Sequence, residues 1–359
     1  MKKIDAYIVS KQTKIILNAN ECYKNLPSKL IDEIKDNLHN IEFNRYPDND
    51  AIYLTKKYSE VFNISKDNVL FGNGSDEMLG LVIGLNIKDG KKLYTFSPDF
   101  SMYDYYVSFH EGLMCKYSIE ESFNVDEFIE LGKKENPSII VFSNPNNPTG
   151  MIVTKEDIEK ILVNFKDIPV VVDEAYGEFY TQTMVNDIDL YKNLYVTKTL
   201  SKAYGVAGIR LGIIISNKEN IEKLKAMKVP YDVNTLSQFI GIKLLDYKEE
   251  SEKYIQEIIE RRDWFYKEVI SRNYNDLNIY KSYANFIYGK SSKKEELVNN
   301  FNKEGITIRE FKDDSFRISI GSLNDMQEVL KVIDKTFGGI KWKKQLHKEK
   351  QMKQVLKWV

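Results

Sequence analysis

Cysteine and histidine are scarce, with two and three residues in a chain of 359. That is too few for a disulfide framework or a zinc cluster, so no bound metal is expected. Cys22 and Cys115 have no Cys-x-x-Cys context, and free thiols suit a reducing cytoplasm. An excess of one charge is missing too. The 52 Lys+Arg residues almost cancel the 53 Asp+Glu residues, which leaves no bulk electrostatic basis for binding nucleic acid. No stretch of roughly 18 apolar residues is available to span a membrane. Behind Met1-Lys2-Lys3, the polar residues Asp5, Ser10, Lys11 and Lys14 break up any signal-peptide core. With 42% hydrophobic and 29% charged residues, the composition is that of a globular protein, and its length suggests about two domains. A cytoplasmic protein is expected.

What is present is an alternation of short apolar runs and helical patterns. Residues 1–27 read as an irregular arm ending at Pro27, and Leu30, Ile31, Ile34 and Leu38 then mark one face of a helix. Arg45–Asp48 reads as a loop and Asp50–Phe62 as a helix. Strands follow at Asn68–Phe71, Lys92–Phe96, Leu113–Tyr117, Ser138–Ser143, Pro169–Asp173, Asn193–Thr197 and Leu211–Ser216. Helices at Ser75–Ile87, Asp99–Phe109, Val125–Gly132 and Thr154–Phe165 lie between them. Such βαβ units build a mostly parallel sheet, and unbroken apolar strands suit burial on both faces.

After Asn234 the rhythm changes. Leu236–Asn273 reads as one long helix, or two with a kink. Short strands at Asn278–Lys281, Asn285–Tyr288, Thr307–Glu310 and Phe316–Ile320 then alternate with helices at Lys294–Glu304 and Asn324–Phe337. The expected fold is therefore α/β. A three-layer α/β/α large domain spans residues 46–256, and a smaller α+β domain combines residues 257–340 with part of the arm, 1–45. The tail, 341–359, carries seven lysines and one glutamate, with Met352, Val355, Leu356 and Val359 on one helical face. A basic amphipathic helix can meet a membrane or a partner. The preferred reading is an extra helix docked on the protein's own acidic surface.

Four segments carry chemistry. In Val196–Gly212, Lys202 follows Ser201, and Arg210 comes eight positions later. A hydroxyl and a guanidinium fork suit a phosphate, and a lysine beside a phosphate site suggests a Schiff base to pyridoxal phosphate. Alone, such a loop is more often plain surface. Asp173 ends the apolar strand at Val172, where an open α/β sheet places its ligands. A carboxylate there can hold a protonated pyridine nitrogen, although a helix cap would also explain it. Tyr176 lies three residues on. Phe142–Gly150 is a proline-fixed turn that presents Asn147. Phe71–Glu77 is a glycine-rich strand-to-helix turn in which Ser75 and Asp76 can offer an anion their backbone N–H groups. Its spacing fits neither a Rossmann fingerprint nor a P-loop.

Eight ordered segments, Leu17–Glu21, Arg45–Asp48, Gly72–Glu77, Ser143–Gly150, Val172–Tyr176, Thr199–Gly212, Pro230–Asn234 and Phe316–Gly321, resemble the fold-type I pyridoxal-phosphate aminotransferases. They are most similar to the histidinol-phosphate aminotransferase branch of class II. The resemblance implies pyridoxal 5′-phosphate as cofactor, with Lys202 as the Schiff-base lysine and proton shuttle. It implies Asp173 as partner of the pyridine nitrogen, and Tyr176 and Asn147 as ligands of the 3′-oxygen. Ser75, Asp76, Ser201, Arg210 and, more weakly, Thr199 match the phosphate cup. Phe100 sits where the family places a ring over the pyridine face. Tyr46 matches a residue that reaches the neighbouring subunit's phosphate, which implies a homodimer. Arg317 matches the arginine that grips a substrate α-carboxylate, and Arg309 a second arginine near the substrate. The family's arm usually continues Asn-Glu-Asn-Pro-Tyr-Gly, whereas this one reads Asn20-Glu21-Cys22-Tyr23-Lys24-Asn25. Tyr23 or Lys24 would then meet a distal phosphate or phosphonate.

The implied reaction moves an amino group from an amino acid, glutamate by expectation, to an oxo compound. The same residues would also serve a decarboxylase of a phosphorylated amino acid, or an aminotransferase for aromatic or phosphonate substrates. A cofactor-binding regulator without turnover is the non-catalytic alternative, and an intact Lys202–Asp173 set argues against it.

Overall fold

A computed structural model describes residues 13–119 and 122–338. The basic tail and the first twelve residues of the arm lie outside the described residues. The chain divides into two compact units: residues 24–256, and residues 13–23 with 257–338. The boundary at 256/257 falls inside the helix Lys248–Ser271.

The first strand of the chain, β1 (Ile15–Leu17), belongs to the second unit. The first unit is built on β2 (Val69–Asn73), β3 (Lys92–Ser97), β4 (Leu113–Ser118), β5 (Ile139–Ser143), β6 (Val170–Asp173), β7 (Leu194–Thr199) and β8 (Leu211–Ser216). Their order in the sheet is β2-β8-β7-β6-β5-β3-β4. Strands β3 to β7 pair in parallel, and β8 runs antiparallel to both β7 and β2. The fold is thus α/β with a mostly parallel sheet, as the alternation of strand and helix patterns predicts.

Successive strand residues point to opposite faces, and both faces are covered. On one, Leu93, Val141, Val171 and Tyr195 pack with Met78, Leu79 and Val82 of the helix Ser75–Asn86 and with Leu224 of the helix Lys218–Met227. On the other, Phe96 and Phe142 meet Phe128 of the helix Val125–Glu135, with ring centroids 5.1–6.4 Å apart. Each such buried side chain contributes about 1.5–3 kcal/mol. This sandwich explains why the strands carry apolar runs instead of an alternation.

The second unit has a five-stranded sheet in the order β1-β11-β12-β10-β9, completed by β9 (Asn278–Ile279), β10 (Phe286–Lys290), β11 (Ile306–Glu310) and β12 (Ser315–Ser319). β1 joins β11 in parallel and the other pairs are antiparallel. The helix Leu323–Phe337 starts at a capping box between Ser322 and Asp325 and stops at Gly338, whose φ of 69° is left-handed.

Two local expectations are corrected, and of the two readings of the long pattern after Asn234 the second holds. The arm is not wholly irregular, because β1 lies in it. Its Ile-Ile-Leu run is short, and only its pairing with residues some 290 positions later makes it a strand. The long pattern after Asn234 is two helices, Thr235–Leu245 and Lys248–Ser271. Between them Tyr247 turns inward and its hydroxyl donates to Glu33 at 2.6 Å. The helix expected from Asp99 begins at Met102 instead, because the Asp99 carboxylate accepts from Phe100 N and Ser143 N.

Candidate active site

In the first unit the carboxyl ends of β2, β5, β6 and β7 meet at one sheet edge, since these strands point the same way. Each ends in a residue that the sequence singles out or adjoins. β5 delivers Ser143 and the turn holding Asn147, β6 delivers Asp173 followed by Tyr176, and β7 delivers Thr199 followed by Ser201 and Lys202. Phe100 follows β3, and Ser75 and Asp76 follow β2. Arg210 immediately precedes β8. These residues line a single pocket.

Two close approaches shape the end of the pocket beside Arg210. Gly74 has φ +87°, and a Cβ there would lie 2.6 Å from Arg210 Nη2. A Cβ on Gly212 would fall 1.9 Å from the Ser75 backbone nitrogen. Glycine is therefore required at both positions, and the turn opens the helix Ser75–Asn86 toward the pocket with its unpaired N–H groups. Arg210 is itself left-handed at φ 52°, and its Nη2 sits 3.3 Å from Asp76 in a half-exposed ion pair.

Asp173 is the electrostatic centre. Tyr103 Oη donates to its Oδ2 at 2.9 Å, and Thr197 Oγ1 and Ala175 N donate to its Oδ1 at 2.8 and 3.2 Å. Burial nevertheless pushes this carboxyl up to about 6; the Thr197, Tyr103 and Ala175 donors pull it back down, and Asp76 adds a small upward push. Behind it lies Asp99, which burial raises to about 8 against donors from Ser143 and Phe100, with Asp173 raising it further. The Ser143 hydroxyl donates to Asp99 and accepts from Asn147 N at 2.9 Å, so Asp99 orients the turn that presents Asn147.

Tyr103, Thr197, Ser143 and Asp99 are members of the site that sequence reasoning missed. A signal existed for two of them. Thr197 is two residues before Thr199 and so shares its strand face, and Tyr103 is three residues after Phe100.

The residues fit pyridoxal phosphate on structural grounds. The Ser201 hydroxyl is buried without a hydrogen-bond partner among the described residues, an orphan that a phosphate oxygen would satisfy. Around it stand a guanidinium, a helix N-terminus and backbone made accessible by glycine, all donors suited to an anion. At the other end is a buried carboxylate, and Lys202 lines the wall between.

Other residues singled out in the sequence lie elsewhere. Tyr46 is 81% exposed and stacks on Tyr231, with centroids 4.7 Å apart. Lys24 Nζ sits over the Tyr254 ring at 5.6 Å. In the second unit, Arg317 of β12 is buried, donates to Asn18 O at 2.9 Å and lies over Phe286. It is the cross-strand partner of Arg309, whose guanidinium lies over Phe311. Asn20 is buried, with its N–H donating to Ser319 Oγ and its carbonyl accepting from Asn285. Tyr23 contacts Glu257 at 3.4 Å and stacks under Arg261. Among the described residues no helix is long and apolar enough to cross a membrane.

Comparison with known proteins agrees with this geometry. Residues 12–333 match the family model of aminotransferase class I and II. A histidinol-phosphate aminotransferase from Clostridium novyi is 37% identical over 326 residues, covering 89% of this chain and 91% of that protein. One from Clostridium kluyveri is 34% identical over 342 residues, covering 93% and 97%. The crystal structure of the Sinorhizobium meliloti histidinol-phosphate aminotransferase with pyridoxal-5′-phosphate has a TM-score of 0.82 at 19% identity, over 91% of this chain and 92% of that one. The chain belongs to the class I and II aminotransferase family and is a pyridoxal-phosphate-dependent aminotransferase.

Proposed function

We propose that this protein exchanges an amino group between glutamate and the oxo counterpart of histidinol phosphate. The observation that carries the reading is the 37% identity to the Clostridium novyi histidinol-phosphate aminotransferase across 89% of the chain. Pyridoxal phosphate, when bound, supplies an aldehyde carbon that takes and returns the amino group and a ring that draws electrons from the substrate.

Lys202 holds the cofactor and moves a proton on and off the substrate's Cα. Asp173 holds the proton at the pyridine nitrogen, helped by the hydroxyls of Tyr103 and Thr197. Asn147 and Tyr176 would hold the cofactor's 3′-oxygen, and Phe100 would pack against its ring. Ser75, Asp76, Thr199, Ser201 and Arg210 bind the phosphate.

For the substrate, the charge placement in the second unit supports an anion. Arg309 and Arg317 face each other across β11 and β12. Like charges directly opposite are unfavourable by themselves and become favourable around a carboxylate or phosphate. Arg317 takes the α-carboxylate of the amino donor and Arg309 a distal anion, with Asn20, Tyr23 and Lys24 as further substrate contacts.

A homodimer is part of the proposal. Near Tyr46 and Tyr231 in the sequence, Phe43, Ile52, Tyr53 and Val229 are 59–76% exposed, apolar surface of the kind an interface covers. Tyr46 then completes the phosphate site of the partner. A chain with only two cysteines suits the reducing cytoplasm.

The test is direct. Purified holoenzyme is given histidinol phosphate and 2-oxoglutarate, and glutamate is measured. Exchange with this pair supports the reading. Release of carbon dioxide from a phosphorylated amino acid without an oxo acceptor, or turnover only with aromatic donors, would replace it.

A further inference from the structure

The first unit holds a second cleft, at the sheet edge opposite the pocket around Lys202. It lies where the parallel strands begin. Pro169 precedes β6, Asn193 precedes β7, and the helix Lys218–Met227 and the end of the helix Ser75–Asn86 form its sides. Its volume is about 550 Å³, within the usual span for a small-molecule site. None of the residues assigned to transamination lines it.

Its lining combines three features. Lys166, Lys192 and Lys223 bring positive charge, and Asp167 is the one acid among the lining residues. The nearby Glu219 meets Lys223 at 2.7 Å with both side chains exposed, and Lys192 acts on the same carboxylate. The charge thus stays positive with that pair counted. Leu85, Leu224 and Met227 supply an apolar wall.

Tyr195 is the third feature. It is 7% exposed, lines the cleft, and makes no hydrogen bond through its hydroxyl to any described residue. Burial raises its phenol to about 12, so it is a neutral donor at working pH. The lining amides of Asn193 and Asn220 differ. Asn193 Nδ2 donates to the carbonyls of Leu162, Phe165 and Ile168, and Asn220 Nδ2 donates to Lys192 O and Ser216 Oγ. They build the wall, whereas the Tyr195 hydroxyl faces the space. That hydroxyl stays open to water, which an acceptor seated in the cleft would replace.

We infer that this cleft binds a small phosphorylated molecule with an apolar body, the phosphate meeting Lys166, Lys192, Lys223 and the Tyr195 hydroxyl. Lysine ammonium groups act as point charges that suit a phosphate dianion, and a compact apolar group fits against Leu224 and Met227.

Calorimetric titration of the holoenzyme with phenyl phosphate tests this. Wild type should show a binding phase that Lys166→Glu/Lys223→Glu weakens by about tenfold or more, the equivalent of roughly 1.4 kcal/mol. Both lysines are clear of the catalytic pocket, so the KM for amino donor and acceptor should stay unchanged in that variant. Tyr195→Phe keeps the ring and should weaken the phase by about tenfold through loss of one charge-assisted hydrogen bond. Absence of the phase in wild type, or its persistence unchanged in both variants, would overturn the assignment.

Discussion

Replacing Tyr103 with phenylalanine removes one oxygen atom from the most sensitive point of the site. That hydroxyl donates to Asp173 Oδ2 at 2.9 Å, while Thr197 and Ala175 serve Oδ1. All three favour the ionised carboxylate, and burial opposes them, leaving Asp173 at about 6. A hydrogen bond to a charged group is worth about 1.5–3 kcal/mol, and one pKa unit corresponds to about 1.4 kcal/mol. The Tyr103→Phe change should therefore lift Asp173 by about one to two units, to roughly 7–8. The sign is set by the carboxylate. Its negative form pairs with a protonated pyridine nitrogen, so cofactor affinity should be lost as pH falls through the Asp173 value. The assay is the affinity of apoenzyme for pyridoxal phosphate, measured by cofactor absorbance from pH 5 to 9. The cofactor's own titrations are common to both proteins, so the difference between their curves isolates Asp173. The variant's acid limb should sit about one to two pH units above wild type, and the two should converge at the alkaline end. Superimposable curves, or a loss of equal size at every pH, would refute the reasoning, the latter because a packing defect does not follow protonation.

The remaining expectations concern the same machinery. Asp173→Asn should lower kcat by several orders of magnitude and weaken cofactor binding without abolishing it, since a neutral amide cannot hold the pyridinium; near-normal turnover would contradict the proposed role. In the apoprotein above pH 7, the same substitution should raise stability by up to about 3 kcal/mol in urea unfolding, and the gain should vanish at pH 4. Folding raises this carboxyl from 3.8 to about 6, so its ionisation opposes folding as pH rises through that window. Lys202→Ala should abolish transamination and leave no borohydride-stable cofactor adduct; trapping on another lysine would reassign the role. Mixing Lys202→Ala with Tyr46→Phe subunits should give hybrid sites of unequal quality, and full activity in a species that sediments as a monomer would exclude the proposed dimer. Lys24→Ala should raise KM for phosphorylated substrates alone; unchanged KM values would remove the arm from specificity.

Much of this protein is legible in its sequence because the relevant signals are local. The Val-Val-Val-Asp run of β6 must be buried on both faces, and its acid must stand at the strand's end. Glycines at 74 and 212 mark positions where backbone meets a guanidinium or another backbone, and no other residue fits. The order of short apolar strands and amphipathic helices leads to a parallel sheet, which gathers Asn147, Asp173 and Lys202 at one edge. What stayed hidden depends on residues far apart in the chain. β1 is three residues long and exists only by pairing with β11. Tyr103 and Asp99 look like ordinary helix-start residues until folding places them behind Asp173 and Ser143, 70 and 44 positions away. The raised carboxyl of Asp173 belongs to burial, and burial is a property of the assembled core. The sequence by itself determined the donors and acids that the sheet edge carries, because strand direction and turn geometry are written in neighbouring residues. The tertiary structure alone decided their protonation and their partners, because desolvation and hydrogen bonds between distant segments exist only once the chain has closed around them.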